Sequence, residues 1–547
     1  MARLLFTSMY DEFCHGQRIL VANLKRHGHC VNLVCFKQYK QVPLSEVGDI
    51  YDGAHIQVYP DGDYVNSYAY PATEKEIGHY FERIREFHPD IIGMGFTNCQ
   101  KYSAAKLARR VREEFPNIPL MWGGHHPSTD PEWCLDHVNI VCRGEADTAV
   151  LEIAEKIDRK EPLNDVKNLW LRDDKGVVHK NVERDLVFKL DTLPFPDFDP
   201  ETTFYIDHDR ISKGKPMEDS LLQTNHITMT ARGCPFSCSF CYTSYMKKLY
   251  GRQYRLRERP ISHVIEELKQ VKQRRGNYYL EILDNVFTLK PHRLAEFAEG
   301  YKREIDLPFW CYTHPKCCKD RVIAPLTKYD NLQYVVMGIQ SASKNVGRGM
   351  FHRTHTSDEV LEATEVLVRH GVRAFYDIIT NVPGETHEDC RANLDLLRKL
   401  TKPFRVRMTK LSLFPNYDIR DKTKETKFVT HPMYRIWNAL YFLAQDIDLT
   451  DEEIDTILSN ETIREHPEIL EKINTVFNKY DKRNYDLGVW YELHEKMLCD
   501  KDNYIKQLQC EKENLEKELA DIKWRKGFRH FMRLSNILRS IKRKLKS

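Results

Sequence analysis

The sequence predicts an α/β protein that begins with a doubly wound parallel sheet, continues with a second strand–helix series and ends in helices. Short apolar strands alternate with amphipathic helices in the first part of the chain, and the alternation returns after a proline-rich stretch. After about residue 430 only helical periodicity remains, which predicts a helical C-terminal region. The predicted segments are a first domain, a linker, a second domain and the helical region: 1–160, 161–225, 226–425 and 426–547.

Composition limits the function classes. The 547 residues are too many for one hydrophobic core, and 41% hydrophobic and 30% charged residues are typical of a globular protein. A net charge of +3 gives no strong field for nucleic acid, so no specific nucleic-acid partner is expected. The N-terminus has too short an apolar run for a signal peptide, and no stretch is long enough for a membrane span. We therefore expect a cytoplasmic protein whose 15 cysteines are mostly thiols or metal ligands.

The first domain is predicted from its order of elements. Its strands are 3–8, 30–36, 90–97, 118–124 and 139–145, and its helices are 16–29, 102–115 and 148–157. Ligands of doubly wound sheets bind at the carboxyl ends of the strands. The candidate binding loops are therefore 7–16, 97–102, 123–129 and 143–147.

The stretch WGGHHPST is the most informative of these loops. Gly123 and Gly124 directly follow a strand, where the missing Cβ atoms let the backbone approach a bulky ligand. A tight strand-to-helix turn explains the same two glycines equally well. The residues alone leave both explanations open.

The order PDIIGMGF, IPLMWGGHHPS and VNIVCRGEAD resembles the cobalamin-binding domain that precedes the barrel in many radical S-adenosylmethionine (SAM) enzymes. The resemblance covers about residues 1–160 and implies a Rossmann-like cobalamin-binding domain, with Gly123, Gly124 and His125 beside the cofactor. The D-x-H-x-x-G motif of histidine-ligated corrinoid proteins is absent, because SMYDEFCHGQR spaces Asp11 and His15 differently. His15 is therefore expected to be a surface loop residue, and a domain that has lost cobalamin remains an alternative.

Residues 161–225 are predicted to connect the two domains. The run KLDTLPFPDFDPETTF contains Pro194, Pro196 and Pro200, too many prolines for a helix or a central strand. It resembles the extended linker that precedes the cluster domain in the same family.

Three cysteines are concentrated in ARGCPFSCSFCYTS with the spacing C-x₃-C-x₂-C. Structural zinc usually takes four ligands and a [4Fe–4S] cluster usually four cysteines, so three thiolates leave one iron of a cluster open. An open iron can chelate the amino and carboxylate groups of SAM. With Phe240 before the last cysteine, the loop resembles the radical SAM signature, which implies Cys234, Cys238 and Cys241 as cluster ligands. A non-enzymatic zinc-binding interaction protein is the remote alternative.

The second domain repeats strands and helices as a radical SAM core requires. The resemblance implies a partial (β/α)6 radical SAM barrel, with function at the carboxyl ends of its strands. Its predicted strands are 227–234, 277–287, 309–314, 333–343, 372–386 and 405–414, and its helices 259–273, 294–305, 358–371 and 390–400.

Several strand ends resemble SAM-binding motifs of the family. LDNVF, MGIQSAS and NVPGET follow in family order after the cysteines, although Asn381 replaces a usual glycine, and MFHRTHTSDEV resembles the segment M-x-R-x-H-T. Each stretch also has a purely structural explanation, such as a cap, a buried strand or a turn. The residues implied near SAM are Asp284, Gln340, Ser341, Pro383 and Gly384.

Two further groups of residues lie near the predicted strand 309–314. Tyr312 and His314, at a predicted strand end, are the candidates for catalytic side chains. The nearby cysteines 311, 317 and 318 have the spacing C-x₅-C-C, which suits no recognised cluster loop. Buried thiols are the favoured interpretation of these three.

The last 25 residues, KWRKGFRHFMRLSNILRSIKRKLKS, contain no acidic side chain. Interleaved apolar residues predict a basic amphipathic helix, which can lie on an anionic membrane surface or bind an acidic partner. A solvated terminal helix is the equally weighted alternative.

The sequence as a whole thus predicts a cobalamin-dependent radical SAM enzyme. Methylation of an unactivated carbon in a small-molecule or lipid-like substrate is the expected reaction, with cyclisation or rearrangement as alternatives on the same scaffold. The expected cofactors are a [4Fe–4S] cluster, SAM and cobalamin, and the expected electron source is a one-electron reductant such as flavodoxin or ferredoxin. No motif identifies the substrate.

Overall fold

The protein is described by a computed structural model over residues 1–47, 55–59, 62–66, 70–173, 175–423, 433–459, 467–469 and 471–472. The chain divides into two compact units, Met1–Asp481 and Lys482–Ser547. The second unit, with the predicted basic tail, lies outside the described residues.

The first part of the chain alternates strands and helices as predicted. Its strands are β1 (Arg3–Met9), β2 (Cys30–Phe36), β3 (Val42–Pro43), β4 (His55–Tyr59), β5 (Gly62–Asn66), β6 (Ile91–Gly95), β7 (Leu120–Gly123), β8 (Ile140–Cys142), β9 (Leu169–Arg172), β10 (Val178–Lys180), β11 (Thr203–Asp207) and β12 (Arg210–Lys213). Its helices are α1 (His15–Arg26), α2 (Glu74–Phe87), α3 (Lys101–Glu114), α4 (His125–Thr129), α5 (Pro131–Leu135) and α6 (Ala149–Arg159).

The first sheet is doubly wound around a parallel centre. Its strand order is β10-β9-β8-β7-β6-β1-β2-β11-β12, and the six strands from β8 to β11 are parallel. Both faces of the sheet are covered by apolar clusters, which explains the continuous apolar runs in its strands. The strand order reverses between β1 and β6, so the ligand crevice expected of this fold opens at their carboxyl ends.

The segment 161–225 does more than connect domains. It supplies β9 and β10 at one edge of the first sheet and β11 and β12 at the other. The proline-rich run between them is held on α1, where Arg18 Nη1 donates to the Asp197 carbonyl at 2.9 Å. The Lys25 ammonium also pairs with the carboxylates of Asp197 and Asp199, at 2.9 and 3.0 Å. Local composition identifies the extended run but not the remote strands that flank it.

The second part of the chain contains the barrel and the helices that follow it. Its strands are β13 (Asn225–Thr228), β14 (Ala231–Arg232), β15 (Arg257–Glu258), β16 (Tyr279–Ile282), β17 (Phe309–Thr313), β18 (Leu332–Gln340), β19 (Arg373–Thr380) and β20 (Arg405–Lys410). Its helices are α7 (Tyr242–Tyr250), α8 (Ile261–Arg275), α9 (Pro291–Glu304), α10 (Asp320–Thr327), α11 (Ser357–Arg369), α12 (His387–Lys399), α13 (Asp418–Thr423), α14 (Tyr434–Asp446) and α15 (Asp451–Ser459).

Six parallel strands in chain order form the partial barrel. The order is β13-β16-β17-β18-β19-β20, with α8 to α12 connecting successive strands. Capping boxes begin two of these helices, Thr356 with Glu359 at α11 and Thr386 with Asp389 at α12. The predicted fold class, a doubly wound domain followed by a partial (β/α)6 barrel, is therefore confirmed.

A segment of the first domain extends the barrel sheet. β4 pairs antiparallel with β20, with Gln57 opposite Thr409, and β5 and β3 continue the sheet outward. Lys410 Nζ forms an ion pair with the Asp63 carboxylate at 2.7 Å across the same junction. The two sheets therefore share one chain segment between β2 and α2.

Helices cover the end of the barrel strand β20. The α14 side chain Gln445 accepts a hydrogen bond from the Val406 backbone N–H at 2.7 Å, and Tyr441 donates to the Cys390 carbonyl at 3.0 Å. Within the described part of the chain, none of the helices has the length and apolar character needed to cross a membrane.

Candidate active site

The cysteine loop, residues 233–241, lies between β14 and α7 at the open end of the barrel. Cys234 and Cys238 are buried and Cys241 is half-buried. The loop folds on itself through a Cys241 N–H bond to the Cys238 carbonyl at 3.1 Å. Ser239 ties it to the next segment, because its N–H donates to the Phe351 carbonyl at 3.1 Å and its hydroxyl to the Met350 carbonyl.

The loop is suited to a cationic cofactor. Burial, together with the neighbouring thiols of Cys241 and Cys238, raises the pKa of Cys234 to about 11. Three thiolates in one desolvated loop therefore need positive charge, which the irons of a cluster supply and to which Arg353 Nη1 contributes, 3.6 Å from Cys238 Sγ. Among the described residues no three His, Cys, Asp or Glu side chains converge on a single metal ion. In a [4Fe–4S] cluster each thiolate binds a different iron, so its cysteines need not converge on one point.

Asp284 supports the backbone that leads into the cysteine loop. Its carboxylate accepts hydrogen bonds from the backbone N–H groups of Thr230 and Ala231, at 2.6 and 3.1 Å, and from the Thr230 hydroxyl. Burial raises the pKa of Asp284 to about 6, although these hydrogen bonds act to lower it. The next residue, Asn285, donates to the Gly233 carbonyl at 3.2 Å. Asp284 thus holds β14 in place, and its predicted contact with SAM stays a prediction.

His314, at the end of β17, contacts the cysteine loop directly. Its imidazole stacks on the Phe236 ring with centroids 3.8 Å apart and planes 12° apart. The Nδ1 atom accepts the Lys316 backbone N–H at 3.2 Å, which places the ring proton on Nε2. Burial, with Arg353 nearby, lowers the pKa of His314 to about 2, so the ring is neutral.

Gln340 and Ser341 lie at the carboxyl end of β18, the same end of the barrel as the cysteine loop. Gln340 has a left-handed backbone, with φ of 69°. Ser341 Oγ lies 3.2 Å from Asn393 Oδ1, and the same amide oxygen accepts the Ala342 N–H at 2.7 Å. The strand end is therefore fixed by α12, and a ligand contact of Ser341 competes with the bond to Asn393.

Pro383 and Gly384 form the turn after β19. The Glu385 N–H donates to the Val382 carbonyl at 3.0 Å, and Gly384 has a φ of 82° that favours glycine. Burial raises the pKa of Glu385 to about 7. The sequence analysis did not select this half-buried carboxyl, although its place in the NVPGET motif was visible.

Tyr312 belongs to a polar layer inside the barrel. The Arg407 guanidinium lies 5.8 Å from the Tyr312 ring centroid, a contact that crosses the lumen because β17 and β20 are not neighbouring strands. Arg407 donates from Nε and Nη2 to both Asp377 oxygens, at 2.6 and 2.8 Å. Glu281, whose pKa is raised by burial, accepts from Asn225 Nδ2 at 2.7 Å. Only Tyr312 of this layer was predicted, since lumen contacts join residues far apart in sequence.

The loop after β7 approaches the cysteine loop from the first domain. Gly124 has a φ of 96°, and a Cβ atom there would lie 3.0 Å from the Phe96 carbonyl oxygen, so the position requires glycine. His125 stacks on Tyr242, the residue after Cys241, with ring centroids 3.9 Å apart and planes 22° apart. The two loops that the sequence assigned to different cofactors are therefore in contact.

His125 combines accessible surface with a desolvated environment. Its side chain borders open space, while protein surrounds it at longer range and lowers its pKa to about 4. The imidazole is therefore neutral at pH 7.

The loop after β8 joins the two domains by charge. The Glu145 carboxylate accepts from Arg232 Nη1 at 2.9 Å and from Arg257, and Asp147 accepts from Arg232 at 2.7 Å. A Cβ atom at position 144 would lie 1.9 Å from the Tyr250 hydroxyl oxygen, so the close approach of this hydroxyl requires glycine at that position. These contacts fasten the first domain to the strand that precedes Cys234.

The comparisons with known families agree with this geometry. The family model of the Radical SAM superfamily matches residues 228–397, and that of the B12 binding domain matches residues 69–154. The chain therefore contains a radical SAM domain and a B12-binding domain. The two domains imply the predicted cofactors, a [4Fe–4S] cluster, SAM and cobalamin.

Proteins similar to this chain differ in the reactions named for them. An uncharacterized methyltransferase of Pyrococcus horikoshii is 27% identical over 58% of this chain and 66% of its own length. An anaerobic magnesium-protoporphyrin IX monomethyl ester cyclase of Rubrivivax gelatinosus is 22% identical over 62% of this chain and 59% of its own. The chain thus spans less than two thirds of each of these curated relatives.

A solved structure shares the fold of this chain. The radical SAM methyltransferase TsrM from Kitasatospora setae, solved with cobalamin and a [4Fe–4S] cluster, superposes with a TM-score of 0.57 at 15% identity. The superposition covers 78% of this chain and 75% of that one. It therefore includes both the doubly wound domain and the barrel.

His15 begins helix α1 and is half-buried, whereas the sequence predicts a surface loop residue. It lines a cavity of about 30 Å³ together with Ile19, Arg232 and Glu267. Burial lowers its pKa to about 4, so it is neutral. The prediction was wrong because residues of the barrel line the same cavity, which local sequence does not show.

The three downstream cysteines, Cys311, Cys317 and Cys318, lie around the end of β17. Cys311 and Cys318 are fully buried, and Cys318 Sγ contacts the Ala363 carbonyl at 3.5 Å. Burial raises the pKa of Cys317 to about 11 and that of Cys318 to about 12. Such thiols behave as small apolar side chains, as the sequence analysis favoured.

Proposed function

We propose that this chain is a cobalamin-dependent radical SAM C-methyltransferase that acts on an unactivated carbon of a small-molecule or lipid-like substrate. Cys234, Cys238 and Cys241 are the proposed cluster ligands, and Gly123, Gly124 and His125 the proposed cobalamin contacts. The observation that carries the proposal is the stacking of His125 on Tyr242, 3.9 Å apart, because it brings these two loops to one reaction chamber.

The cofactors supply the difficult chemistry. A reduced [4Fe–4S] cluster and SAM together supply a 5′-deoxyadenosyl radical that removes a hydrogen atom, and cobalamin supplies a transferable methyl group. The part left to the protein is to bind these groups within reach of one another, orient the substrate and exclude water.

The described side chains suit that part. His125 and His314 are both neutral and flank the chamber from the first domain and from the barrel. Neither ring brings an unpaired charge to the desolvated interior, and each stacks on an aromatic ring next to the cysteines. Each neutral imidazole is suited to pack against a ligand and to donate one hydrogen bond to it. Such contacts orient a ligand without adding an acidic proton to the site.

The polar layer below supports a place for the substrate. Arg407 directs two of its five N–H donors to Asp377, which leaves donors toward the lumen beside Tyr312. Glu281, with its raised pKa, lies in the same layer. We infer that a polar end of the substrate contacts this layer while its reacting carbon faces the cysteine loop, with Tyr312 a positioning residue.

Cyclisation is the second candidate reaction. The similarity to a magnesium-protoporphyrin ester cyclase favours it, because the alignment covers 62% of this chain. The same chamber serves both reactions, since each begins with removal of a hydrogen atom. The reactions differ in their products: methylation adds a carbon, whereas ring closure removes hydrogen.

The electron for SAM cleavage comes from outside the chain, and flavodoxin or ferredoxin is the proposed donor. A cytoplasmic location, with contact to a membrane surface through the basic tail, is part of the same proposal. The tail itself lies outside the described residues.

The decisive test uses full-length protein purified without oxygen, reconstituted with iron and sulfide and supplied with hydroxocobalamin before gel filtration. We expect about four irons per chain and stoichiometric cobalt, and formation of 5′-deoxyadenosine with dithionite and SAM. The variant Cys238→Ser should lose iron and 5′-deoxyadenosine but retain cobalt. Zinc without sulfide would contradict the proposal, and iron without cobalt would remove the methyl transfer from it.

Methylation and cyclisation are separated by isotope. SAM labelled with deuterium in its methyl group is incubated with the reconstituted enzyme and candidate metabolite extracts. A product that carries the labelled methyl group supports methyl transfer. A product that has lost hydrogen and carries no label supports ring closure.

A further inference from the structure

We propose that the outer face of the cysteine loop is the docking surface for an acidic one-electron carrier protein. The inference rests on the proposed function, because only a reductive SAM cleavage needs such a carrier. It adds a place on the molecule, which the proposed function does not specify.

Three segments meet at this face. Pro235 and Ser237, between the first two cysteines, are exposed. The Ser239 hydroxyl donates to the Met350 carbonyl, at the end of a π-helical turn that spans 344–350. The Ser239 backbone carbonyl accepts the Ile419 N–H of α13 at 3.2 Å. The turn and α13 therefore surround the exposed tip of the loop.

The surface is rich in positive charge. We define the basic surface by its described cations: Lys247, Lys248, Lys344, Arg348 and Lys422. The sequence has no Asp or Glu in residues 220–257, which hold the cysteines, or in residues 331–357, which hold the turn. The nearby acids are on α12 and α13. Asp389 accepts hydrogen bonds from the Ser343 hydroxyl and from Asn345 Nδ2 at 3.0 Å, Asp418 pairs with Lys248, and Asp421 is exposed beside Lys422. Cations thus exceed anions around the loop tip.

Of the five cations, two have a structural use, Lys248 is paired with Asp418, and the remaining two have neither. Lys247 Nζ donates to the carbonyls of Pro235 and Phe236, and Lys422 Nζ to the carbonyl of Gly349 at 2.8 Å, so both brace the loop and the turn. A structural role therefore explains Lys247 and Lys422, but it does not explain Lys344 or Arg348.

Lys344 and Arg348 are exposed on the turn itself. Within the described ranges, neither forms an ion pair with an acidic side chain. Exposed, uncompensated cations on a fixed turn next to a redox centre create a local positive potential, which steers an acidic partner into encounter. Flavodoxins and ferredoxins are the acidic one-electron carriers of that chemical class.

The electrons of the SAM cleavage step balance. One electron leaves the reduced carrier, which is oxidised, and is consumed when the S–C5′ bond of SAM breaks to give methionine and a 5′-deoxyadenosyl radical. Transfer is fastest across the shortest gap, and the loop tip at Pro235 and Ser237 is the part of the cysteine loop that is exposed.

The test compares two charge-reversal variants of the reconstituted holoenzyme. Lys344→Glu with Arg348→Glu changes the basic surface. Lys106→Glu with Arg109→Glu makes the same change in net charge on the exposed side of α3 in the first domain. Purified reduced flavodoxin and ferredoxin are the probes, and dithionite, a small reductant, is the control donor.

At low ionic strength we expect the Lys344/Arg348 variant to lose about tenfold or more in flavodoxin-driven formation of 5′-deoxyadenosine. Its dithionite-driven rate and iron content should equal those of the wild type, and the α3 variant should behave as wild type with every donor. Added salt should slow the wild type with flavodoxin toward the rate of the variant.

Equal slowing with flavodoxin and dithionite, or unchanged rates with both carrier proteins, would overturn the proposal. Binding of oxidised flavodoxin, followed by calorimetry, tests the surface without any turnover, and equal affinities of the two variants would also overturn it. An inactive wild type with dithionite would instead contradict the proposed function, so the two failures are distinguishable.

Discussion

Arg353 Nη1 lies 3.6 Å from Cys238 Sγ, and the same guanidinium donates to the Gly338 carbonyl at β18. Arg353 is 8% exposed, so its charge acts in a desolvated environment. A fixed cation beside a proposed cluster ligand favours the state of the cluster with one more electron.

We therefore predict that Arg353→Gln lowers the midpoint potential of the bound cluster. A tenfold change in the reduction equilibrium corresponds to about 59 mV for one electron, and we expect a shift of at least this order. Arg353→Lys, which keeps the charge, should shift the potential less. Redox titration followed by electron paramagnetic resonance measures both, and a potential equal to that of the wild type in Arg353→Gln would refute the electrostatic role.

Glu145 should be essential to the junction of the two domains. Its removal leaves Arg257, which has only 1% of its side chain exposed, without a carboxylate, while Asp147 still pairs with Arg232. Breaking a buried pair costs roughly 3–5 kcal/mol, and we expect the lower end for Glu145→Gln. The urea midpoint of the apoprotein reports the change. The exposed pair of Glu132 and Lys180 provides the matched control, since Glu132→Gln should change the midpoint little.

Asp284→Asn distinguishes a positioning role from a direct contact with SAM. If the carboxylate mainly holds Thr230 and Ala231, the variant should load less iron and lose roughly 1–3 kcal/mol of stability from unpaired buried donors. SAM affinity per assembled cluster should then be unchanged. Full iron loading with weakened SAM binding would show the direct contact instead. Asp306→Asn, at an exposed ion pair with Lys302, is the control.

His126 makes the stability of the fold dependent on pH. It is 1% exposed, and burial lowers its pKa from 6.5 to about 3. Between pH 6.5 and about pH 3, His126 is protonated in the unfolded chain but neutral in the folded chain. The free energy of unfolding is therefore undiminished above pH 6.5 and falls as the pH drops below it. The loss is about 2 kcal/mol at pH 5, from about 1.4 kcal/mol per pH unit.

The variant His126→Phe should remove this share of the pH dependence. Its ring can keep the contacts with Phe96 and Trp133, while it has no proton to bind. Urea midpoints of the apoprotein at pH 7.5 and 5.0 measure the effect, with the exposed His292→Phe as control. A drop as large as in the wild type would show that His126 is not the group responsible.

Much of the fold follows from local sequence signals. The six strands of the barrel and four of the five helices that connect them were predicted, because apolar runs, helix caps and turns are encoded by neighbouring residues. The short helix α10 was not predicted. The cysteine loop was predicted because its chemistry depends on spacing within eight residues, from Cys234 to Cys241. The glycines at 123 and 124 were visible for the same reason.

Contacts between remote segments were not predictable in this way. The stacking of His125 on Tyr242, the bonds of Glu145 to Arg257 and the lumen contact of Arg407 with Tyr312 join residues that no local pattern relates. The half-buried position of His15 was missed likewise, because residues of the neighbouring domain line the same cavity. Such pairings are set by the packing of complete elements.

The pairing of β4 with β20 has a consequence for how the molecule can be divided. An unpaired strand edge offers its backbone N–H and C=O groups to any other chain, and proteins usually protect such edges. Here the protecting strand of the barrel is borrowed from the domain that precedes it. A fragment that begins at residue 226 would leave this edge of β20 unpaired, so we expect the barrel to self-associate when it is produced without the first domain.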